Sequence, residues 1–227
     1  MARRKRDKFM QQGDSLNVPP LRPLNERQKA FIVALKESPQ VIVIGPAGTG
    51  KTFISASYAA DLYRNHAIGK IILTRPNVPG GRSLGYFPGT LEEKIAPWVV
   101  PFTSVIEQRL GKGVFETGVR NGNIEVVPFE VMRGRSFENA FVILDEAQNT
   151  TPEEMKMFLT RQGQGSRVVI NGDVRQSDLK SCSGLSTIIT MVNRFDLPVP
   201  IVEFGVDDIV RSDICKLWVE AFMEWER

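Results

Sequence analysis

A glycine-rich segment, GPAGTGKT at residues 45–52, carries the clearest chemical signature in the sequence. It matches the pattern G-x-x-x-x-G-K-[ST], in which glycines let consecutive backbone N–H groups turn towards one cluster of phosphate oxygens. Lys51 supplies a full positive charge for the phosphates, and the Thr52 hydroxyl is a suitable ligand for Mg²⁺. A plain glycine-rich turn would explain the glycines but not Lys51 and Thr52, so we predict a nucleotide triphosphate site. Its candidate contacts are Gly45, Pro46, Ala47, Gly48, Thr49, Gly50, Lys51, Thr52 and Phe53.

Two acids follow an apolar run in the segment FVILDEAQN at residues 141–149. Asp145 is placed to hold Mg²⁺, directly or through water, and Glu146 is placed to take a proton from an attacking water. Such a pair can also cap a helix, and Thr151 with Pro152 is a plausible cap for the helix that follows. Capping does not account for two acids behind a buried strand. The pair therefore predicts hydrolysis rather than transfer to a small alcohol.

A second polar segment, NGDVRQSDL at residues 171–179, also follows an apolar run. Gln176 could sense the γ-phosphate or position the attacking water. An ordinary polar loop between a strand and a helix would read in the same way. The segment gains its meaning from the phosphate loop and the acid pair that precede it.

The elements that must position these residues alternate along the chain. Helical spacing predicts helices over 25–37, 51–65, 91–110, 152–162, 184–194 and 212–226. Short apolar runs predict strands over 41–44, 70–74, 124–129, 141–145, 167–171 and 201–204. Strands separated by helices imply right-handed crossovers, so we predict an α/β domain with a mostly parallel sheet flanked by helices. The Gly/Pro-rich stretch 75–90 is either a functional loop or a disordered one.

Composition bounds the class of protein. The 227 residues are 42% hydrophobic and 24% charged, which excludes a disordered, collagen-like or coiled-coil chain. We predict a basic flexible tail and linker over 1–22 and one domain over 23–227. Five basic residues and Asp7 give residues 1–8 a charge of +4, which leaves −1 for the rest of the +3 total. The tail could contact nucleic-acid phosphates or simply keep the protein soluble.

Cysteine, histidine and apolar runs exclude further classes. No run approaches the roughly 18 apolar residues that cross a bilayer, and the basic N-terminus lacks the apolar core of a secretory signal. The sequence has two cysteines and one histidine, which argues against zinc sites, histidine triads and multi-histidine metal sites. We therefore expect a cytoplasmic protein with no membrane partner.

Several strings together resemble the PhoH-like ATPases over about residues 25–222. They are GPAGTGKT, ILTRPNV, LGYFPGTLEEKIAPW, MRGRSFENAFVILDEAQNTTPEEMKMFLTR and NGDVRQSDL. The resemblance implies a single RecA-like P-loop NTPase domain, similar to the first motor domain of superfamily 1 helicases. It also implies a cytoplasmic ATP-binding protein, with ATP and Mg²⁺ as cofactors.

The resemblance assigns roles to three more residues. Gln28, in PLNERQ, falls on the helicase-like Q motif, which implies a contact with the adenine edge, although its position alone would also suit a surface glutamine. Gln148 would couple the magnesium site to the 173–176 loop. Arg211 stands before the last helix, where the family commonly has histidine and proline in place of Ser212 and Asp213.

Phosphoryl transfer is accelerated by an arginine that reaches the transferred phosphate. Two-domain helicases supply it from a second motor domain, which we do not find in this sequence. Arg211 is the first candidate and Arg135 and Arg133 are the next, either within the chain or from a neighbouring subunit; each could instead form a surface salt bridge. A repeated head-to-tail contact closes into a ring, so we expect a homo-oligomer, a hexamer by analogy, with ATP at the subunit interfaces.

Nucleic acid is the second expected partner. The stretch 75–90 contains Arg75, Arg82, Tyr86 and Phe87, a mixture of charge and aromatic surface that suits single-stranded RNA or DNA, although these residues could also pack on the core or contact subunits. The predicted function is Mg²⁺-dependent ATP hydrolysis coupled to RNA or DNA remodelling. A nucleotide-switched assembly module and a small-molecule kinase are the alternatives.

Overall fold

The computed structural model describes residues 18–76, 91–177, 179 and 182–225. The helices in that part of the chain are α1 (Glu26–Glu37), α2 (Lys51–Arg64), α3 (Leu91–Leu110), α4 (Lys112–Arg120), α5 (Pro152–Leu159), α6 (Gly184–Phe195) and α7 (Asp213–Trp225). The strands are β1 (Gln40–Ile44), β2 (Lys70–Arg75), β3 (Ile124–Pro128), β4 (Ala140–Leu144), β5 (Arg167–Gly172) and β6 (Ile201–Glu203). Short 3-10 helices follow β3, β4 and β6.

The six strands form one sheet in the order β3-β2-β4-β5-β1-β6, and every pairing is parallel. This confirms the predicted α/β fold. The helix predicted over 152–162 ends earlier, at Leu159, and α4 was not predicted at all. Gly113 and Gly118 lie within α4, and glycine weakens the sequence signal of a helix.

Alternate residues of the strands pack into two separate cores. On β1, Val41 and Val43 face one core, which α1, α2 and α3 cover. Ile42 belongs to the other core, which α5 and α6 cover, as does Ile44. A strand that is buried on both faces must be apolar throughout, which explains the uninterrupted VIVI run.

Side-chain caps form at the N-termini of α1 and α5, where the sequence predicted them. The Asn25 side chain accepts a hydrogen bond from the backbone N–H of Gln28 at 2.8 Å, so α1 begins where its cap predicts. Thr151 and Glu154 form a reciprocal capping box at the start of α5. By capping α1, Asn25 also holds the backbone of Gln28.

The described residues begin inside the predicted linker. Leu21 packs against the core, and the carbonyl of Pro19 accepts a hydrogen bond from Arg109 at 3.3 Å. The end of the linker is therefore held on the domain, while the basic tail lies outside the described residues. Among the described helices, none is long and apolar enough to cross a membrane.

Strand order determines where the candidate site can form. Since the strands are parallel, their carboxyl ends meet at one edge of the sheet, where open α/β sheets bind ligands. The phosphate loop leaves β1 at this edge, Arg75 ends β2, Asp145 follows β4 and Asp173 follows β5. The carboxyl ends of these strands thus bring together residues up to 128 positions apart in sequence, from Gly45 to Asp173.

Candidate nucleotide site

A cavity of about 430 Å³ opens at the carboxyl edge of the sheet. This volume is within the range of small-molecule sites. Residues from the phosphate loop, the ends of β2, β4 and β5, α3 and the segment before α7 line it. The lining residues predicted from sequence are Gly45, Ala47, Gly48, Thr49, Gly50, Lys51, Thr52, Phe53, Asp145, Glu146, Gln176 and Arg211.

The backbone of the phosphate loop requires its glycines. Gly45, Gly48 and Gly50 have φ angles of 136°, 87° and 92°, in a region that other residues rarely adopt. A Cβ at Gly45 would also lie 2.5 Å from the carbonyl oxygen of Phe204. The loop can therefore form its tight turn only with glycine at these positions.

Lys51 folds back over the loop. Its Nζ donates hydrogen bonds to the carbonyls of Gly45, at 2.5 Å, and Pro46, at 2.8 Å. Burial lowers the pKa of Lys51, while the negative charges of Asp173, Asp145 and Glu146 raise it in part. A buried ammonium in this position favours an anionic ligand, because phosphate oxygens would compensate for its lost hydration.

The acid pair lies opposite the loop. The backbone N–H of Asp145 donates to the carbonyl of Thr74 at 2.9 Å, which fixes the end of β4 beside β2. Burial, assisted by the charge of Glu146, raises the pKa of Asp145 to about 6, although Arg75, a backbone hydrogen bond and Lys51 act in the opposite direction. A bound cation would favour the ionised form of this carboxylate.

Glu146 has a backbone conformation that is unusual for its residue type. Its φ of 52° and ψ of 41° lie in the left-handed region, which costs a residue with a side chain about 1–3 kcal/mol. Its carboxylate accepts a hydrogen bond from Nε2 of Gln148. Residues held in such conformations cluster at functional sites, so the strain supports a role for Glu146 beyond capping.

Gln148 connects the two acidic segments, as the family resemblance implied. Its Nε2 donates to Glu146, and its Oε1 accepts from the backbone N–H of Asp173 at 3.0 Å. The side chain is almost completely buried, so both ends of its amide are committed to this bridge. A change on one side of the bridge therefore reaches the other directly.

Arg75 lines the cavity, which sequence reasoning did not predict. Its guanidinium lies 3.7 Å from a carboxylate oxygen of Asp145 and 3.8 Å from one of Glu146, and the contact with nucleic acid that we expected for it stays a prediction. The contact with the two acids depends on β2 lying beside β4, although β3 comes between them in the chain. The sequence contains no local signal for this neighbourhood.

Gln28 lies beneath the phosphate loop. Its Nε2 donates to the carbonyl of Thr49 at 3.0 Å, and its Oε1 accepts from the backbone N–H of Leu24 at 2.9 Å. The residue is only 3% exposed and does not line the cavity. It braces the turn at Gly50 in this structure, and the predicted contact with adenine stays a prediction.

The arginines predicted to act on phosphate occupy different places. Arg211 lies against the loop of its own chain, where a Cβ added to Gly48 would be 3.1 Å from its Cδ and Nε. Arg135 instead pairs with Glu125 at 2.5 Å, and Arg133 is exposed; neither lines the cavity. Arg82, Tyr86 and Phe87 lie outside the described residues.

The donor atoms in the cavity fit Mg²⁺ better than a transition metal. Among the described residues, no group of three His, Cys, Asp or Glu side chains could hold a metal ion by itself. Mg²⁺ keeps several waters and commonly uses one or two protein oxygens together with substrate phosphates. Thr52 and Asp145, which line the same cavity, supply oxygens of this kind.

Comparison with known proteins finds similarity to one protein family over most of the chain. The family model described as "PhoH-like protein" matches residues 20–223. Protein PhoH of Escherichia coli K12 is 42% identical over 213 residues, which cover 92% of this chain and 60% of that protein. PhoH-like proteins of Bacillus subtilis and Synechocystis are 44% and 39% identical over 86% of this chain, or 61% and 60% of their own lengths. The chain thus spans about 60% of the length of these curated relatives.

Proposed function

This chain belongs to the PhoH-like protein family, and from that premise we propose that it is a Mg²⁺-dependent ATP hydrolase. One observation carries the proposal: a phosphate loop with its lysine and a strand-end acid pair line the same cavity. The first group suits a polyanion, and the second suits a cation and a water. ATP is proposed on the family resemblance alone, in which Gln28 falls on the helicase-like Q motif.

Each residue has a defined part in the proposed hydrolysis. The loop N–H groups and Lys51 bind the phosphates, while Thr52 and Asp145 would hold Mg²⁺. When bound, the metal supplies positive charge that neutralises the phosphate oxygens as the bond breaks. Glu146 accepts the proton of the attacking water at its carboxylate. Gln176, exposed at the mouth of the cavity, would orient that water or sense the γ-phosphate.

Phosphate release from ATP, with Mg²⁺ and without any acceptor, tests this proposal. We expect release by the wild type and none above background by Lys51→Ala. A kinase would need an added acceptor, so its wild type would release no phosphate under these conditions. An inactive wild type that also fails to bind ATP, alone or with single-stranded RNA, would contradict the proposed hydrolysis.

We further propose that the protein assembles with a second copy of itself through α7, and by architectural analogy into a hexameric ring. Large apolar residues recur at helical spacing along this helix and face solvent: Ile214, Leu217, Trp218, Phe222 and Trp225. Trp218, Phe222 and Trp225 are 61%, 58% and 88% exposed. At roughly 150–250 Å² per aromatic side chain, they leave about 400 Å² uncovered.

That area is about half of the ~800 Å² that each partner contributes to a standard interface, and the aliphatic members of the stripe add to it. A second copy is favoured because α7 begins two residues after Arg211, which lies against the phosphate loop. A copy docked on α7 would stand beside the nucleotide cavity, as ATP at a subunit interface requires. Assembly of the ring would thereby be coupled to nucleotide binding.

Mass in solution, measured by light scattering with and without ATP, tests the assembly. We expect a wild-type oligomer, and a monomer when Trp218 and Phe222 are both changed to Ser. Phe195→Ser is the matched control, since Phe195 is equally exposed but lies on α6. A monomeric wild type under both conditions, or an unchanged mass for the double variant, would contradict this interface.

Coupling of hydrolysis to single-stranded RNA or DNA, in the cytoplasm, completes the proposed function. The family resemblance and the basic tail support the coupling to nucleic acid. The free cysteines Cys182 and Cys215 support a cytoplasmic location. We expect phosphate release to rise with single-stranded RNA or DNA, and binding to weaken steeply with salt and in Arg82→Ala and Tyr86→Ala. Rates and affinities that ignore both nucleic acid and salt would instead favour the nucleotide-switched assembly module.

A further inference from the structure

We propose that Arg75 is the arginine that acts on the transferred phosphate, from within the same chain, and that it leaves the two acids to do so. This inference rests on the proposed ATP hydrolysis. It gives the cavity a cationic group on the side of the acid pair, in addition to Lys51 on the side of the loop. No second motor domain or neighbouring subunit is needed to supply it.

The sheet fixes the position of Arg75 relative to the acids. Arg75 is the last residue of β2, and the preceding residue, Thr74, pairs in register with Leu144 of β4. The hydrogen bond from Asp145 N–H to the Thr74 carbonyl extends this register by one residue. Arg75 and Asp145 therefore leave neighbouring strands at the same level and enter the same cavity.

The ion pairs that Arg75 forms with Asp145 and Glu146 are longer than the other arginine ion pairs among the described residues. They measure 3.7 and 3.8 Å, whereas Arg109 binds Asp61 through two nitrogens at 2.7–3.1 Å. Charge-assisted hydrogen bonds at full strength are about 2.7–2.9 Å long. The contacts of Arg75 with Asp145 and Glu146 are therefore weaker than hydrogen-bonded ion pairs, and a closer anion would compete with each of these two contacts.

The charges in the cavity give Arg75 a reason to change partners. Asp145, once its oxygens turn to a cation, no longer attracts the guanidinium as strongly, and Glu146 must be free to accept a proton. Phosphate oxygens then offer the planar guanidinium a bidentate partner. Arg75 retains 23% side-chain exposure and lines the cavity, so its guanidinium is accessible to a phosphate bound there.

Arg211 also lies at the cavity, but on a different wall. Its aliphatic part packs against Gly48, and the backbone N–H of the preceding Val210 donates to the Gly48 carbonyl at 3.0 Å. Arg211 is thus attached to the loop that binds the phosphates, whereas Arg75 stands beside the acid that activates water. This difference makes Arg75 the better placed of the two for the transferred group.

Arg75→Ala and Arg75→Lys test the proposal through turnover and through nucleotide affinity. We expect Arg75→Ala to lower kcat by at least about a hundredfold, within the roughly 10³–10⁵ attributed to such arginines. Affinity for an ATP analogue with a β,γ-imido bridge should fall about tenfold, while affinity for ADP stays the same. Arg75→Lys should keep much of the affinity but not the turnover, because lysine lacks the bidentate geometry.

Arg64→Ala is the matched control, because Arg64 pairs with Asp61 at 3.2 Å on the surface of α2, outside the cavity. It should leave turnover and both affinities unchanged. If Arg75→Ala fails to fold, as judged by circular dichroism, Arg75→Lys decides the question through its turnover.

Two results would overturn the role of Arg75 and leave ATP hydrolysis intact. One is wild-type turnover in the variant that folds. The other is an equal change in affinity for ADP and for the ATP analogue, which would show that Arg75 only restrains the acids. A wild type that hydrolyses no ATP would instead refute the proposed function itself.

Discussion

The two walls of the nucleotide cavity are built in different ways. The phosphate loop is one contiguous segment, residues 45–52, that acts through its backbone and one lysine. The acid wall is assembled from side chains at the ends of three strands, with Arg75 from β2, Glu146 after β4 and Asp173 after β5. A contiguous backbone site can be read in a sequence, whereas an assembled side-chain site depends on strand order.

The walls also differ in how they accommodate left-handed backbone. The loop uses glycine at these positions, where the conformation carries no steric cost. The acid wall uses Glu146, which adopts the same region with a side chain and is restrained by Gln148. The loop is therefore relaxed in its working shape, while the acid wall stores strain that its partners must hold.

The largest effect should come from the loop wall. Lys51→Ala removes the ammonium that we propose to bind the phosphates and leaves the Gly45 and Pro46 carbonyls without their donor. We expect turnover to fall by a factor on the order of 10³ or more and nucleotide affinity to fall as well. Phosphate release and binding of a fluorescent nucleotide measure this, with Lys36→Ala, an exposed lysine of α1, as control. Nucleotide binding unchanged in Lys51→Ala would break the assignment of binding to the loop.

Glu146→Gln should separate catalysis from binding on the acid wall. The amide cannot take a proton from water, so we expect turnover to fall by about 10²–10⁴ while nucleotide affinity is retained. Rapid-quench phosphate release and equilibrium binding check the two halves of this expectation. A motor should lose any unwinding with its turnover, whereas a nucleotide-switched module should be trapped in its assembled state. Loss of affinity equal to the loss of turnover would contradict the division of labour between the walls.

These contrasts explain what could be predicted from the sequence. GPAGTGKT predicted the loop that lines the cavity, and VIVI predicted a strand buried on both faces, because both signals are local. The α4 helix was not predicted because Gly113 and Gly118 weaken its helical sequence pattern. The place of Arg75 could not be found, since it requires knowing that β2 pairs with β4. Gln28 was placed near the loop only through the family resemblance, as its contact spans 21 residues.

Adding a side chain to the loop at Gly45 and removing one from the acid wall at Glu146 should change the unfolding free energy in opposite directions. Gly45→Ala adds a Cβ at a φ of 136° and within 2.5 Å of the Phe204 carbonyl, so we expect a loss of at least about 2 kcal/mol in unfolding free energy. Glu146→Gly relieves the left-handed strain and should leave the unfolding free energy unchanged or raise it by up to about 1 kcal/mol. We expect this variant to hydrolyse no ATP. Urea unfolding of both variants measures the changes in unfolding free energy. A destabilised Glu146→Gly would show that Gln148 and Arg75 contribute more than the strain costs.

Gln28→Leu tests whether the loop wall depends on its brace. The change removes the hydrogen bonds to Thr49 and Leu24 and leaves the buried Thr49 carbonyl without its donor, which costs about 1–3 kcal/mol. We expect lower unfolding free energy and an affinity for ATP and GTP that falls by the same factor. Equal stability with a selective loss for ATP would instead support the predicted adenine contact. Gln28→Glu, which cannot donate to Thr49, distinguishes loss of the hydrogen bond from loss of volume.

The smallest effect concerns an arginine–acid pair outside the cavity, which provides the comparison for Arg75. Burial would raise the pKa of Glu125, but hydrogen bonds from Arg135 and Lys70 hold it below its ordinary value of 4.5. The pair therefore stabilises the fold at pH values above 4.5, and its contribution is lost as the pH falls through the lowered value. Arg135 is more than a third exposed, so solvent screening limits this contribution to less than about 1 kcal/mol.

Urea unfolding of the wild type and Glu125→Gln between pH 7 and pH 3 measures that contribution. The wild type should be slightly more stable at pH 7, and the difference should vanish at low pH and shrink in high salt. Turnover should be the same in both proteins, because the pair does not line the cavity. A loss of turnover in Glu125→Gln would mean that the edge strand β3 communicates with the acid wall through β2. In that case position in the cavity would no longer separate an arginine that acts on phosphate from one that only supports the sheet.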